Sequence, residues 1–143
     1  MENLFHKSTP VLVVERIEPV IPFWSKLGVT PTTQVPDAAA GDGRLGFVIL
    51  AAPGIEVMYQ TLASVQADVV QSSWVKDAFP DTPQRICLFI EVSRLAEVEE
   101  KLQGERLVMP RRTTFYGMAE TGYTDPCGNL VIFAEPLQQT ASG

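Results

Sequence analysis

The sequence predicts an α+β fold made of two tandem βαβββ modules, and three observations lead to this prediction. The first is an internal repeat with a shift of 78 residues, which aligns the apolar positions of the two halves. The second is a change of apolar spacing within each half, from a continuous strand-like run to the three- and four-residue spacing of a helix. The third is a set of short apolar runs after each helix, separated by turn residues. The aligned positions are Leu12, Val14, Ile17, Val20 and Trp24 in the first half, and Ile90, Val92, Leu95, Val98 and Leu102 in the second.

The elements of the first half follow this pattern in chain order. A short β-branched run predicts the opening strand, and the spacing of the next apolar residues predicts a helix whose Phe23 and Trp24 pack on the sheet. Two more strand-like runs flank Pro53 and Gly54, which favour a turn. The predicted strands of this half lie at residues 11–14, 44–50 and 55–60.

The second half opens with a strand at residues 86–92 and closes with a β-hairpin. The turn of this hairpin is the segment 125–129, Asp-Pro-Cys-Gly-Asn, whose residue types favour a tight reversal of the chain. Because residues two apart on a strand share one face, the turn places Glu120 on the same face as Ile132, and Met118 continues that face. The predicted pairs are Thr124 with Leu130, Gly122 with Ile132 and Glu120 with Ala134.

Length and composition agree with one compact unit. A chain of 143 residues with 45% hydrophobic content can bury a proper core. The first residues lack the apolar core of a secretory signal, and no apolar run is long enough to span a bilayer, so we expect a cytoplasmic protein. We expect a single domain, 1–143, with module one at about 8–61, a connection at about 62–83, module two at about 84–136 and a C-terminal tail at 137–143.

The charge of the chain narrows the class of partner. A net charge of −6 and an isoelectric point near 4.7 argue against nucleic acid, which generally requires a basic patch. An acidic protein is compatible with a cationic small molecule. The adjacent pair Arg111 and Arg112 is interpreted as solvated loop charge. The two cysteines, Cys87 and Cys127, are expected to be reduced thiols.

Two motifs resemble those of a known superfamily. Gly117 and Met118 followed by the segment 125–129 resemble the Gly-Met…Asp-Pro-x-Gly-Asn signature of the vicinal oxygen chelate superfamily, and segment 23–28, Phe-Trp-Ser-Lys-Leu-Gly, is similar to its Phe-Tyr-x-x-Leu-Gly. This superfamily includes glyoxalase I, extradiol dioxygenases and the fosfomycin- and bleomycin-resistance proteins. The resemblance covers roughly residues 8–136 and implies two modules that form a curved, cup-shaped sheet with covering helices.

The resemblance also implies where metal ligands would lie. The family's four ligand positions fall on Thr9, Glu56, Cys87 and Ile132, and Glu56 alone is an ordinary ligand for such a metal. Cys87 is expected to be buried like a small apolar residue. His6 has the wrong strand parity. We therefore expect no metal and no other cofactor.

Strand alternation predicts a ligand-binding cup lined by aromatic, Met and carboxylate side chains. Tyr116 is interpreted as a rim residue, and Trp74 as a residue that closes a pocket, packs at a subunit interface or packs internally, with all three alternatives open. The predicted ligand-binding residues are Phe47, Glu56, Met58, Gln60, Trp74, Phe89, Tyr116, Met118 and Glu120, and Ile49, Cys87 and Glu91 share the predicted faces.

These observations favour a metal-free small-molecule-binding protein that resembles the bleomycin-resistance branch. It would sequester an aromatic compound, for which a positive charge suits the carboxylates of Glu56 and Glu120. The resemblance implies a homodimer and raises antibiotic resistance as a role. The open alternatives are a divergent metal-dependent glyoxalase- or dioxygenase-like enzyme, and a metal-free lyase or isomerase that uses one of these carboxylates as a base. No Ser-His-Asp arrangement is visible, which argues against a hydrolase.

Overall fold

A computed structural model describes residues 3–71, 77–78 and 82–138 of the chain. The chain divides into two compact units, Met1–Gln84 and Arg85–Gly143, which we call module one and module two. Module one contains strands β1 (Val11–Val14), β2 (Thr30–Pro36), β3 (Leu45–Ala52) and β4 (Ile55–Thr61) with helices α1 (Val20–Ser25) and α2 (Leu62–Gln71). Module two contains strands β5 (Cys87–Glu91), β6 (Leu107–Thr113), β7 (Met118–Thr124) and β8 (Leu130–Pro136) with helix α3 (Leu95–Lys101).

The two modules repeat one topology. Each has a four-stranded sheet, in the order β1-β4-β3-β2 in module one and β5-β8-β7-β6 in module two. In both sheets the first strand pairs in parallel with the last, and the remaining pairs are antiparallel. This repetition confirms the predicted α+β fold with two βαβββ modules.

The core of module one lies between its sheet and its helices. Residues on one face of β3 and β4 are buried in strict alternation, as the period of a strand requires. Phe23 and Trp24 of α1 are fully buried, which confirms their predicted packing role. The indole N–H of Trp24 donates a hydrogen bond of 2.9 Å to the hydroxyl of Tyr59, so this aromatic core also satisfies its polar atoms.

Module two packs α3 on its sheet in the same way. Leu95 and Leu102 at the two ends of this helical segment are fully buried with Phe133 of β8. The Thr121 hydroxyl on the helix-facing side of β7 donates a 2.7 Å hydrogen bond to Glu99 of α3. The observed pairs of Thr124 with Leu130, Gly122 with Ile132 and Glu120 with Ala134 confirm the predicted hairpin register.

The sequence located neither β2 nor β6, although the module pattern required a strand at each place. Both are edge strands, and most of their residues are exposed, so neither shows an apolar alternation. Pro31, Pro36 and Pro110 lie in these strands, as expected at edges where one side makes no ladder. Within the described ranges, no helix is long and apolar enough to cross a membrane.

Candidate ligand-binding site

Each sheet has one face that carries the main buried core and an opposite face, which we call the open face. In module one, helix α2 covers part of the open face, where Val65 and Leu62 pack against Val13. On the open face of module one, Phe47 pairs with Gln60 and Ile49 pairs with Met58, and all four side chains are half-buried. The strand alternation that the sequence predicted therefore brings these residues together. Phe47, Ile49 and Met58 are neighbouring apolar side chains, a kind of surface on which aromatic rings pack.

Glu56 lies at the end of this open face and already has partners. Its carboxylate accepts hydrogen bonds from the Thr9 hydroxyl at 2.8 Å and from the Lys7 ammonium at 3.0 Å. These two bonds lower the pKa of Glu56 below its usual value. The carboxylate is therefore ionised at neutral pH, paired with a cation of its own chain, and a weaker general base than an ordinary glutamate. Lys7 lies in a segment without periodicity, which is why sequence reasoning missed it.

The open face of module two includes two neighbouring rows of side chains that run across the middle of the sheet. The pairing register places Phe89, Ile132, Gly122 and Met109 in one row. Phe89 is 53% exposed, so its ring is accessible from solvent. The neighbouring row contains Glu91, Ala134, Glu120 and Arg112. An apolar row thus lies directly beside a charged one.

Glu120 is the buried group of the charged row. Its side chain has no solvent exposure, and its carboxylate accepts hydrogen bonds from Arg112 at 3.1 and 3.3 Å. The Tyr116 hydroxyl donates a short hydrogen bond to the other carboxylate oxygen, and this bond raises the pKa of Tyr116. Both oxygens of Glu120 are therefore committed to groups of the same module.

The two adjacent arginines differ from their predicted state. They lie in strand β6 and not in a loop, and each pairs with a carboxylate: Arg111 with Glu99 and Arg112 with Glu120. Adjacent strand residues point to opposite faces, so one arginine reaches the helix side and the other the open face. The loop placement was wrong, because the β6 strand that separates their side chains had not been identified. Both arginines are exposed, as expected of solvated charge, but each also pairs with a carboxylate.

Glu91 is the carboxylate of the charged row that has no counterion. It is exposed, and within the part of the chain that the structure describes it forms no ion pair. It follows Phe89 by two residues on β5, so the two side chains emerge on the same face. This pair offers a π face and an uncompensated negative charge side by side.

The other predicted site residues lie as follows. Tyr116 is half-exposed in the turn between β6 and β7, and Met118 begins β7 as a half-buried residue of the open face. Trp74 lies outside the described residues. Cys87 is exposed and not buried as expected, because it faces outward at the start of edge strand β5.

The four positions where this fold family holds a metal do not provide a suitable ligand set. Thr9 offers a neutral hydroxyl that already donates to Glu56, and the Glu56 carboxylate is already bound by Lys7. Ile132 has no donor atom. Among the described residues, no group of three or more His, Cys, Asp or Glu side chains is placed to hold a metal ion. These residues do not fit a metal of this class.

Comparison with known proteins shows the fold. No protein-family model and no curated protein matches the sequence. The chain is similar to the crystal structure of a glyoxalase/bleomycin resistance protein/dioxygenase from Nocardioides, at 19% identity and a TM-score of 0.64 over 99% of this chain and 91% of that one. It is also similar to a glyoxalase-related enzyme from Fulvimarina pelagi, at 16% identity and a TM-score of 0.66 over 92% and 88% of the two chains. A bleomycin-binding protein complexed with bleomycin gives 16% identity and a TM-score of 0.61 over 92% and 98%.

These likenesses extend over nearly the whole length of each chain, at identities below one fifth. They confirm the glyoxalase/bleomycin-resistance fold that the motifs predicted. Since one fold hosts many activities, function has to be argued from the residues of the open faces.

Proposed function

We propose that this chain, which has the glyoxalase/bleomycin-resistance fold, binds a small aromatic compound that carries a positive charge, without a metal. The observation that carries the proposal is the neighbouring placement of Phe89, exposed by half, and Glu91, which has no counterion among the described residues. An aromatic ring of the ligand would stack on Phe89 while its cation meets the Glu91 carboxylate. Ile132 in the same row extends the apolar contact.

The proposal assigns different roles to the three carboxylates of the open faces. Glu56 and Glu120 each have a cation of their own module within hydrogen-bond distance, so their negative charge is already compensated. Glu91 is left to attract an external cation. Tyr116 and Met118 are proposed as further contacts within module two, which add contact area rather than charge. Phe47, Met58 and Gln60 are proposed as contacts for an aromatic ring on the open face of module one by itself.

The experiment is isothermal titration calorimetry with bleomycin as the cationic aromatic probe and a neutral planar aromatic compound as its counterpart. Phe89→Ala should lower the affinity for both ligands, because it removes the aromatic ring on which they would stack. Glu91→Gln should weaken the cationic ligand severalfold and leave the neutral one unchanged, with an effect that shrinks at high salt. Phe5→Ala and Glu15→Gln make the same chemical changes at exposed positions of module one that lie outside the strands, and serve as matched controls.

Two results would refute the proposal. Unaltered affinity in Phe89→Ala would exclude stacking at this position, and equal losses for cationic and neutral ligands in Glu91→Gln would exclude charge recognition. Glu56→Gln and Glu120→Gln are expected to have smaller effects on cationic ligands than Glu91→Gln, because their charges are compensated within the chain. Growth of a susceptible strain in bleomycin, with and without expression of the protein, separates resistance from binding alone.

We further propose that two copies form a homodimer. Edge strands β2 and β6 expose Val35, Leu107 and Val108, each more than 40% accessible, and such edges favour association with another chain. Light scattering coupled to size-exclusion chromatography should give twice the chain mass at micromolar concentration. A single-chain mass under these conditions would refute the dimer and leave the open-face proposal standing.

A further inference from the structure

A separate cleft of about 480 Å³ lies in module two, at the end of the β7–β8 hairpin. It is formed by Arg85, by the segment before β6, by Thr124 at the end of β7 and by the turn that follows, and it includes no residue of the two open-face rows described above. Its volume falls within the range of small-ligand sites. The polar side chains that line it are Arg85, Glu105, Arg106, Thr124, Asp125 and Cys127.

The acceptor groups of this cleft are already engaged. Asp125 is 2% exposed, and its carboxylate accepts hydrogen bonds from the amides of Cys127 and Asn129 at 2.9 and 2.8 Å and from the Asn129 side chain at 3.1 Å. These bonds hold the turn together. The Glu105 residue is also engaged with another group of the protein. The cleft therefore offers few acceptors to an incoming cation.

The donor groups, by contrast, are uncommitted. Within the described residues, the guanidinium groups of Arg85 and Arg106 form no ion pair or side-chain hydrogen bond, and the Thr124 hydroxyl has no partner. Arginine carries a planar set of N–H donors that matches carboxylate and phosphate oxygens. Two such groups and a hydroxyl at one cleft suit an oxyanion.

Gly128 positions one of these arginines. A Cβ at residue 128 would lie 3.3 Å from Nε of Arg85, so the guanidinium group rests directly against the turn where a side chain is missing. The φ of Gly128 is +89°, a conformation that favours glycine. The same glycine thus closes the turn and makes room for the Arg85 side chain at the cleft.

We infer that this cleft binds a small organic oxyanion, a carboxylate or a phosphate ester, through the guanidinium groups of Arg85 and Arg106 and the hydroxyl of Thr124. The net charge of the chain is −6, so general attraction of anions to the protein surface does not explain such binding. Recognition has to come from the local donors. The site is independent of the proposed aromatic ligand.

The test is a titration of the ¹⁵N-labelled protein followed by NMR, with inorganic phosphate and malonate as probes in separate arms. We expect saturable shifts of the Cys127 and Gly128 amides, and the arm with the tighter binding identifies the preferred oxyanion. Arg85→Gln and Arg106→Gln should each weaken the probe roughly tenfold. Arg94→Gln removes the same charge from an exposed arginine that pairs with Glu97 in the same module, and should leave the affinity unchanged.

Several outcomes would overturn the inference. One is the absence of saturable shifts with both probes, and another is an equal loss of affinity in all three arginine variants. A second measurement does not depend on those variants: in a Cys87→Ser background, a bound anion should slow alkylation of Cys127, which lines the cleft. Alkylation at the same rate with and without saturating probe would place the anion elsewhere and refute the site.

Discussion

The pairing of Arg112 with Glu120 gives a prediction whose magnitude follows from burial. Glu120 has no exposure, whereas the Arg112 side chain is 55% exposed. Breaking a fully buried ion pair costs about 3–5 kcal/mol, and an exposed pair is worth about 0–1 kcal/mol. Arg112→Gln leaves the buried carboxylate with Tyr116 alone and should lower the free energy of unfolding by about 2 kcal/mol, between these limits.

Glu120→Gln should lower the free energy of unfolding by less, about 1 kcal/mol or below. The glutamine keeps the shape of the glutamate side chain, and the released Arg112 can be solvated by water. The double variant should resemble Glu120→Gln alone, which means that the two single losses do not add. Arg111→Gln is the matched control: it removes the neighbouring arginine of the same strand from a pair whose carboxylate, Glu99, keeps 27% exposure and a second donor in Thr121, and should lower the free energy of unfolding by less than about 1 kcal/mol.

Equilibrium unfolding in urea measures all four free energies, provided that the slope with denaturant stays constant. Equal losses in Arg112→Gln and Arg111→Gln would refute the argument, because burial of the carboxylate would then make no difference. Strict additivity in the double variant would also refute it, since the two side chains would not be coupled.

Three further predictions concern other parts of the chain. Tyr59→Phe removes the acceptor of the buried Trp24 indole N–H and should lower the free energy of unfolding by about 1–3 kcal/mol in urea unfolding. Gly122→Ala places a Cβ 2.9 Å from Cβ of Met109, and this overpacking should cost about 1–3 kcal/mol in the same assay. Burial, with a smaller effect of a nearby carboxylate, raises the pKa of Cys127 to about 11, so its alkylation rate, followed by mass spectrometry, should still rise between pH 9.5 and 11.

Each of these predictions has a control within the chain. Tyr123→Phe also removes a tyrosine hydroxyl, but this hydroxyl forms no hydrogen bond within the described residues. The variant should change the free energy of unfolding by less than about 0.5 kcal/mol. Gly46→Ala brings its new Cβ no closer than 3.3 Å to any atom, so its cost should be smaller than that of Gly122→Ala. Cys87→Ser isolates the reaction of the other thiol, and a rate that levels off near pH 9 would contradict the raised pKa.

Elements with strong local rules were predictable from the sequence. The turn at 125–129 fixed the register of the last hairpin, and one correct register determines the face of every residue on both strands. This is why Glu120 could be assigned to the open face together with Ile132. The repeat and the change of apolar spacing gave the module order, because both modules bury their sheets against helices in the same way.

The ion-pair partners of the site carboxylates lie in segments whose sequence shows neither a turn motif nor an apolar period. Strand β6 is interrupted by register shifts between Leu107 and Met109 and between Met109 and Arg112, so counting along the sequence does not align it with β7. The partner of Glu120 was therefore not predictable, although two adjacent arginines on a strand must point to opposite faces. Lys7, the partner of Glu56, lies in an irregular segment to which no periodicity applies.

The pairing of the first strand of each module with its last strand has a consequence for how the chain can be cut and rearranged. Val11 pairs with Met58, 47 residues later (58 − 11), and this parallel ladder closes the sheet of module one before module two begins. In the described ranges, no ladder joins the two sheets. A chain opened between the modules retains every strand pair of both halves. Gene splitting, circular permutation or the insertion of a tag at this junction would therefore spare the eight strands that the structure describes.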